Sequence, residues 1–303
     1  MAVNLYTQQS SNVRKTWLLM TGSFLLVVGL GWVFAYYFQR SEILVLAVIL
    51  SIVLNLVAYW QSDKIALSMA GARAIQQSDN PYLFRMVENL SITAGLPMPK
   101  LFIIPGAQIN ALATGRDPQH ASIAVTVGAL ERLENEELEG VLAHELSHIG
   151  NRDILISTVV VVLAGVVTIM ADWFMRMSFF GGMRGRDNDR EGGNGIGLII
   201  ALAAAILAPL AATLLQLAIS RKREFLADAS GALLTRYPDG LANALEKIAV
   251  DGNTLPKTSN ATAHLYISNP FRAKQAGNWL AKMFSTHPPI QERIAILRGM
   301  KVE

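Results

Sequence analysis

The chain has 303 residues, a net charge of +3, 52% apolar and 16% charged residues, and no cysteine. Ordinary soluble domains carry about 25% charged residues, so this composition leans toward a membrane protein. The absence of cysteine excludes disulfides and thiolate-held metal, which leaves any metal to His, Asp or Glu, and no basic run interleaved with stacking aromatics marks a nucleic-acid face.

Two uncharged runs open the chain, Trp17 to Phe38 and Ile43 to Trp60. About 20 apolar residues suffice for a helix to cross a bilayer, so residues 1–62 read as a transmembrane hairpin with spans near 17–38 and 43–60. Trp17, Tyr36, Tyr37, Tyr59 and Trp60 sit at the run ends, where interfacial belts collect aromatics. The first run exceeds the apolar core of a signal peptide, and no small-residue cleavage site follows it. The alternative is a buried hairpin of a soluble fold, and two such long uncharged runs argue against it. Arg14 and Lys15 before the first run, and Lys64 and Arg73 after the second, place both flanks on the cytoplasmic side.

Residues 63–95 read as two amphipathic helices, broken near Ser78-Asp79-Asn80-Pro81. Leu101–Ile104, Gln108–Thr114 and Ser122–Val127 are strand segments, with Gly115-Arg116-Asp117-Pro118 as a loop. Asn135 is placed to cap the next helix, whose first turn carries Glu136 and Glu137. Leu138, Val141, Leu142, Leu146 and Ile149 recur along it at helical spacing.

That helix carries His144-Glu145-Leu146-Ser147-His148, the pattern HExxH. Residues four apart share a helix face, so His144 and His148 can hold one zinc ion. Glu145 lies about 100° round the helix, within reach of a water acidified by that metal. The bland alternative is a pair of surface histidines.

Further apolar runs cover residues 154–171 and 196–220, separated by the Gly-rich charged segment Gly181 to Gly195. They are long enough to be two more spans interrupting a metalloprotease domain over residues 63–303. A catalytic zinc needs a third protein ligand, and the best placed is Glu224, in the helical continuation of the last run. Asp228 shares its face and can hold a ligand histidine through the other ring nitrogen. Alternatively, Glu224 merely pairs with the adjacent Arg221-Lys222-Arg223.

The segments HELSHIGNRD and SRKREFLADA, flanking a long apolar stretch, closely resemble the HtpX membrane metalloproteases, relatives of the CAAX prenyl-protein endopeptidases. The N-terminal runs and INALATGRDPQHASIAVTVGAL match as well, so the likeness covers nearly the whole chain. The resemblance implies a gluzincin site with His144, His148 and Glu224 as ligands of one zinc ion. It gives Glu145 as general base and later acid, and Asp228 as partner of a ligand histidine. It further implies a multi-pass protein of the bacterial inner membrane with a cytoplasmic active site. Its expected role is proteolytic quality control of misfolded membrane proteins under stress, with polypeptides and the bilayer as partners and no nucleic acid. Thr286-His287-Pro288-Pro289 resembles the family's His-Pro motif, which makes His287 and Arg293 candidates to stabilise an oxyanion. Asn110 and Ala111 are expected on an edge strand that pairs with extended substrate. His120 and His264 read as surface or structural residues.

The expected fold is a mainly α membrane protein with a small β-sheet, a zincin-type (gluzincin) metalloprotease domain behind an N-terminal transmembrane hairpin. One rival is an intramembrane protease of the site-2 type, with Asp239 of Tyr237-Pro238-Asp239-Gly240 as third ligand; the charges flanking HExxH argue against it. A non-catalytic scaffold or transporter is the other, and the first two runs lack the ionisable residues a transport path needs.

Overall fold

The computed structural model describes residues 5–183, 220–257, 262–268, 270 and 288–300. Run 196–220, apart from Ser220, and His287 lie outside them.

Helix α1 (Leu5–Phe38) and α2 (Glu42–Trp60) form the expected hairpin. Their crossing is close because Gly31 has no side chain: a Cβ there would sit 2.1 Å from the Ala47 Cβ. Trp17, Leu18, Leu25, Trp32, Leu46 and Ile49 are exposed along it, a continuous apolar surface suited to lipid. Three helical stretches are long and apolar enough to cross a membrane: Gln9–Phe38, Glu42–Trp60 and Asp153–Met170. The third belongs to α7 (Asp153–Met183) and is 67% buried by protein, against 22% and 11% for the others. Its Ile156, Val159, Val160 and Leu163 pack on Met20 and Ala58 of the hairpin.

The polar part follows local chemistry. Helix α3 (Ser62–Ala70) ends at Gly71 in a left-handed conformation (φ 68°). The two-residue strand β1 (Arg73–Ala74) has no counterpart in the sequence reading. Helix α4 (Pro81–Ala94) starts at the expected break, where Asn80 accepts the Leu83 amide and Pro81 fills the first turn. Strands β2 (Lys100–Ile104), β3 (Ala111–Gly115) and β4 (Ala121–Thr126) complete a four-stranded sheet of order β1-β2-β4-β3. β2 and β4 are parallel, with Phe102 opposite Ala124, and β3 is antiparallel to β4, with Ala113 opposite Ile123. β3 is therefore an edge strand.

After α5 (Val127–Arg132), helix α6 (Asn135–Gly150) lies against one sheet face. Its Leu138, Val141, Leu142, Leu146 and Ile149 are buried with Ala111, Ile123 and Val125, as their spacing requires. Glu134, not Asn135, caps it: Glu134 and Glu137 make a reciprocal capping box, and Asn135 becomes the first helical residue. Helices α8 (Arg221–Thr235) and α9 (Pro238–Val250) pack on α6 and on each other, and α10 (Ile290–Arg298) packs on both of them, burying Ala232, Leu241, Leu245, Ile294 and Leu297.

Candidate active site

Helix α6 presents His144 and His148 one turn apart, with ring centroids 4.7 Å apart and their planes nearly perpendicular. Each Nδ1 faces a carboxylate. His144 Nδ1 lies 2.9 Å from Asp228 Oδ1, a close contact that is bent away from a well-aligned hydrogen bond. His148 Nδ1 lies 3.0 Å from Asp153 Oδ2. Carboxylates in those positions select the Nδ1–H form and turn both Nε2 lone pairs inward, where they meet at 3.1 Å. Two facing lone pairs repel unless a cation or proton lies between them. Glu224 supplies a third donor, its Oε1 3.6 Å from His148 Nε2, and the three ligand atoms lie within 4.8 Å of one another. Ligands at about 2.05 Å around a tetrahedral zinc sit roughly 3.3 Å from each other, so the donor set fits such an ion in type and spacing.

Local backbone features create this geometry. α8 can approach α6 only because residue 231 is glycine: a Cβ there would lie 2.9 Å from the His144 nitrogen and 3.1 Å from the Ala143 carbonyl carbon. Glu224 and Asp228, one turn apart on α8, are thereby brought against the two imidazoles. Between α6 and α7, Arg152 adopts φ 59°, a conformation L-residues rarely take. That reversal starts α7 at Asp153 and aims its carboxylate back at His148. Asp153 is one of the charges flanking HExxH, and its position five residues after His148, at a helix start, is the sequence signal for this contact.

Burial and charge set the protonation of the metal-free residues. Burial pushes the Glu145 carboxyl up to about 7, with the His148 cation opposing and Glu224 adding to the rise. Burial alone would lower His148, but Asp153, Glu224 and Glu145 outweigh it and hold the imidazole at about 9. Burial lowers His144, against the pull of Asp228. Asp228 resists the upward push of burial because Arg293 and His144 keep it at about 2.

The expected site residues divide clearly by position. His144, Glu145, His148 and Glu224 line one small cavity, together with Ala113 and Tyr266. Asp228 stands directly behind His144. Arg293 is fully buried and donates to both Asp228 oxygens, at 2.8 and 2.6 Å, and to the Ile267 carbonyl at 3.1 Å. Its hydrogen bonds go to Asp228 and Ile267, and its Nη1 also lies 3.8 Å from Glu224 Oε2, so the structure places it behind the ligand atoms rather than among the residues lining the cavity. The expectation for Asn110 is corrected: the residue precedes β3, is buried, and spends its amide on Gln108 and the Ser268 carbonyl. Ala111 is the first residue of the edge strand, but its carbonyl already accepts the Ile267 amide, and Leu112 bridges to Tyr266. It is Ala113, further along the same strand, that borders the cavity beside Glu145. His120 is exposed and paired with Asp117, while His264 is buried with Nε2 on the Ser157 carbonyl. Asp239, the third ligand of the site-2 alternative, pairs with Arg298 at the surface.

A helix-borne HExxH pair over a small sheet, joined by a glutamate from a second helix, is the arrangement of a zincin-type metallopeptidase. Comparison with known proteins agrees. The model of peptidase family M48 matches residues 77–301. A protease HtpX homolog of Thermoanaerobacter pseudethanolicus is 45% identical over 298 residues, covering 98% of both chains. Those of Dictyoglomus turgidum (45%, covering 97% of this chain and 94% of the relative) and Syntrophobacter fumaroxidans (48%, covering 86% and 90%) are comparably similar. Among solved structures, Ste24p of S. mikatae shares the fold, with a TM-score of 0.52 and 19% identity; the match takes in 93% of this chain and 66% of that one. The chain belongs to peptidase family M48 and is a membrane metalloprotease of the HtpX type.

Proposed function

We propose that this protein is a zinc endopeptidase with one ion per chain, held by His144, His148 and Glu224, that cleaves polypeptides beside the cytoplasmic face of a bacterial inner membrane. One observation carries the reading: three ligand-type atoms within 4.8 Å, next to a buried carboxyl whose pKa lies at about 7. When bound, zinc supplies Lewis acidity and brings the pKa of a water from about 15.7 to near 7. Glu145 takes the proton of the attacking water and later delivers it to the leaving amine; burial raises its carboxyl while a bound cation would lower it, which suits a group that must both take and give a proton. Asp228 and Asp153 keep the two imidazoles oriented. Arg293 keeps Asp228 charged.

Residues 1–62 serve as the anchoring hairpin and 63–303 as the protease domain, with residues 154–171 as a further span. Asp153, the first residue of that helix, touches His148, so the site lies at the membrane surface and takes juxtamembrane segments of substrates. Misfolded or damaged membrane proteins expose such segments, which supports quality control during stress as the role.

The test is zinc content and casein cleavage of the purified chain in detergent. Glu145→Gln should keep about one zinc and lose cleavage; persisting cleavage overturns the assignment. Moving a scissile site along a model substrate's juxtamembrane stretch tests the placement, and cutting indifferent to depth argues against it.

A further inference from the structure

A polar layer lies where the N-terminal hairpin meets helix α6. Asn12, on α1 just before the apolar run that opens at Trp17, is fully buried. Its Nδ2 lies 2.6 Å from Asp153 Oδ1 and 3.2 Å from the Asn151 carbonyl. Both neighbours are oxygens, so the amide nitrogen must point at them. The other oxygen of Asp153 holds His148 Nδ1 at 3.0 Å. One turn earlier on α1, Gln9 Nε2 donates to the Gly150 carbonyl at 2.7 Å, at the last residue of the metal helix. Two residues of α1 therefore grip the end of α6 and the carboxylate that orients a metal ligand, across 141 positions of sequence.

Packing alone would not select asparagine here. Further along α1 its packing with α7 is apolar, with Met20 in one cluster with Leu155, Ile156 and Val159. Asn12 Oδ1 has no hydrogen-bond partner among the described residues, a defect that a buried apolar residue would avoid. What the amide alone supplies is a donor to Asp153. Arg223, whose Nε is 3.5 Å from the same Asp153 oxygen, adds a buried positive charge to that carboxylate, while Asn12 Nδ2 makes the shorter contact at 2.6 Å.

We propose that Asn12 is a positioning residue of the metal site: the first membrane helix fixes Asp153, and through it the ring of His148. The anchor is thereby part of the machinery that holds zinc, so the protease domain and its hairpin form one functional unit. This rests on the zinc reading given above. Groups bonded directly to a ligand, as Asp153 is to His148, alter metal affinity by about 10–100-fold when removed, and Asn12, one step further out, should act at the low end of that range.

The experiment is a zinc titration against a chromophoric chelator on the full chain in detergent micelles, with cobalt(II) absorption as a second readout. Asn12→Ala should weaken zinc by about tenfold and shift the cobalt bands, since the imidazole loses its fixed orientation. Asn12→Asp, which sets a carboxylate against Asp153, should weaken it further. Leu26→Ala, which trims the α1 packing away from the site, serves as the structural control and should leave affinity and spectrum within twofold of wild type. An Asn12→Ala chain with wild-type affinity and spectrum overturns the inference alone, as does a Leu26→Ala chain that loses as much as Asn12→Ala. A wild-type chain that takes up no zinc overturns the metal reading itself.

Discussion

Replacing Arg293 by Met tests whether the buried charge pair behind His144 is structural. Both partners are buried, Arg293 at 0% exposure and Asp228 at 1%, and two charge-assisted hydrogen bonds of 2.8 and 2.6 Å join them. Met fills much of the space but leaves Asp228 without its cation, and breaking such a pair costs about 3–5 kcal/mol. At roughly 2–4 °C per kcal/mol for a domain of this size, the unfolding midpoint should fall by roughly 6–20 °C. Removing both charges, in Arg293→Met with Asp228→Asn, leaves no isolated ion and should restore a large part of that loss. Zinc affinity should stay reduced in the double variant, because Asn holds the His144 ring less firmly than a carboxylate does. The pH dependence has a definite sign. Asp228 has a depressed pKa of about 2, so its contribution is present above its ordinary value of 3.8 and fades as pH falls through about 2. Without Arg293 the carboxyl rises, and that contribution fades at higher pH. Thermal unfolding across pH and a zinc competition titration measure these effects. Destabilisation by Arg293→Met of under about 1 kcal/mol, or losses that simply add in the double variant, would refute the reasoning.

Three further outcomes follow from the same geometry. Because His148 is held at about 9 in the metal-free site, zinc must displace a proton below that pH. Apparent zinc affinity should then rise about tenfold per pH unit between roughly 7 and 8.5, and a flat titration would contradict it. Glu145 acts as a base only when ionised, so the cleavage rate should climb with pH on the acid side. Its apparent pKa in the zinc enzyme should lie below the metal-free value of about 7, because the cation favours the carboxylate; a rate that falls from pH 5 to 7 would oppose this role. Gly231→Ala places a methyl 2.9 Å from the His144 nitrogen, which forces α8 off α6. It should cost about 1–3 kcal/mol and weaken zinc binding, whereas Gly252→Ala, with no atom within 4 Å, should do neither.

What could be read from the sequence depended on the distance over which each device acts. HExxH and the Glu224–Asp228 pair are one-turn devices, so helical spacing was enough to put each pair on one face. The β2 and β4 segments emerged within a residue of their observed ends, because alternation and β-branching act locally. Gln108 and Asn110 look like strand residues yet are not, because their side chains bind the Asn253, Ser268 and Pro270 carbonyls. Glu134 displaced Asn135 as cap because a box closed at both ends satisfies two amides, where Asn would satisfy one.

Partner choice across the chain could not be read in this way. Nothing within four residues of Arg293 reveals that it pairs with Asp228 some 65 positions earlier, or that Asn12 reaches Asp153. Yet these contacts hold the two carboxylates that face the imidazoles. The ligands come from α6 and α8, and the groups that orient them come from α1, α7, α8 and α10. No short piece of the chain contains a ligand histidine together with its complete support. On the proposed zinc reading, the ion should therefore bind the folded chain far more tightly than the unfolded one, and its binding energy should stabilise the assembly of hairpin, sheet and helices as a whole.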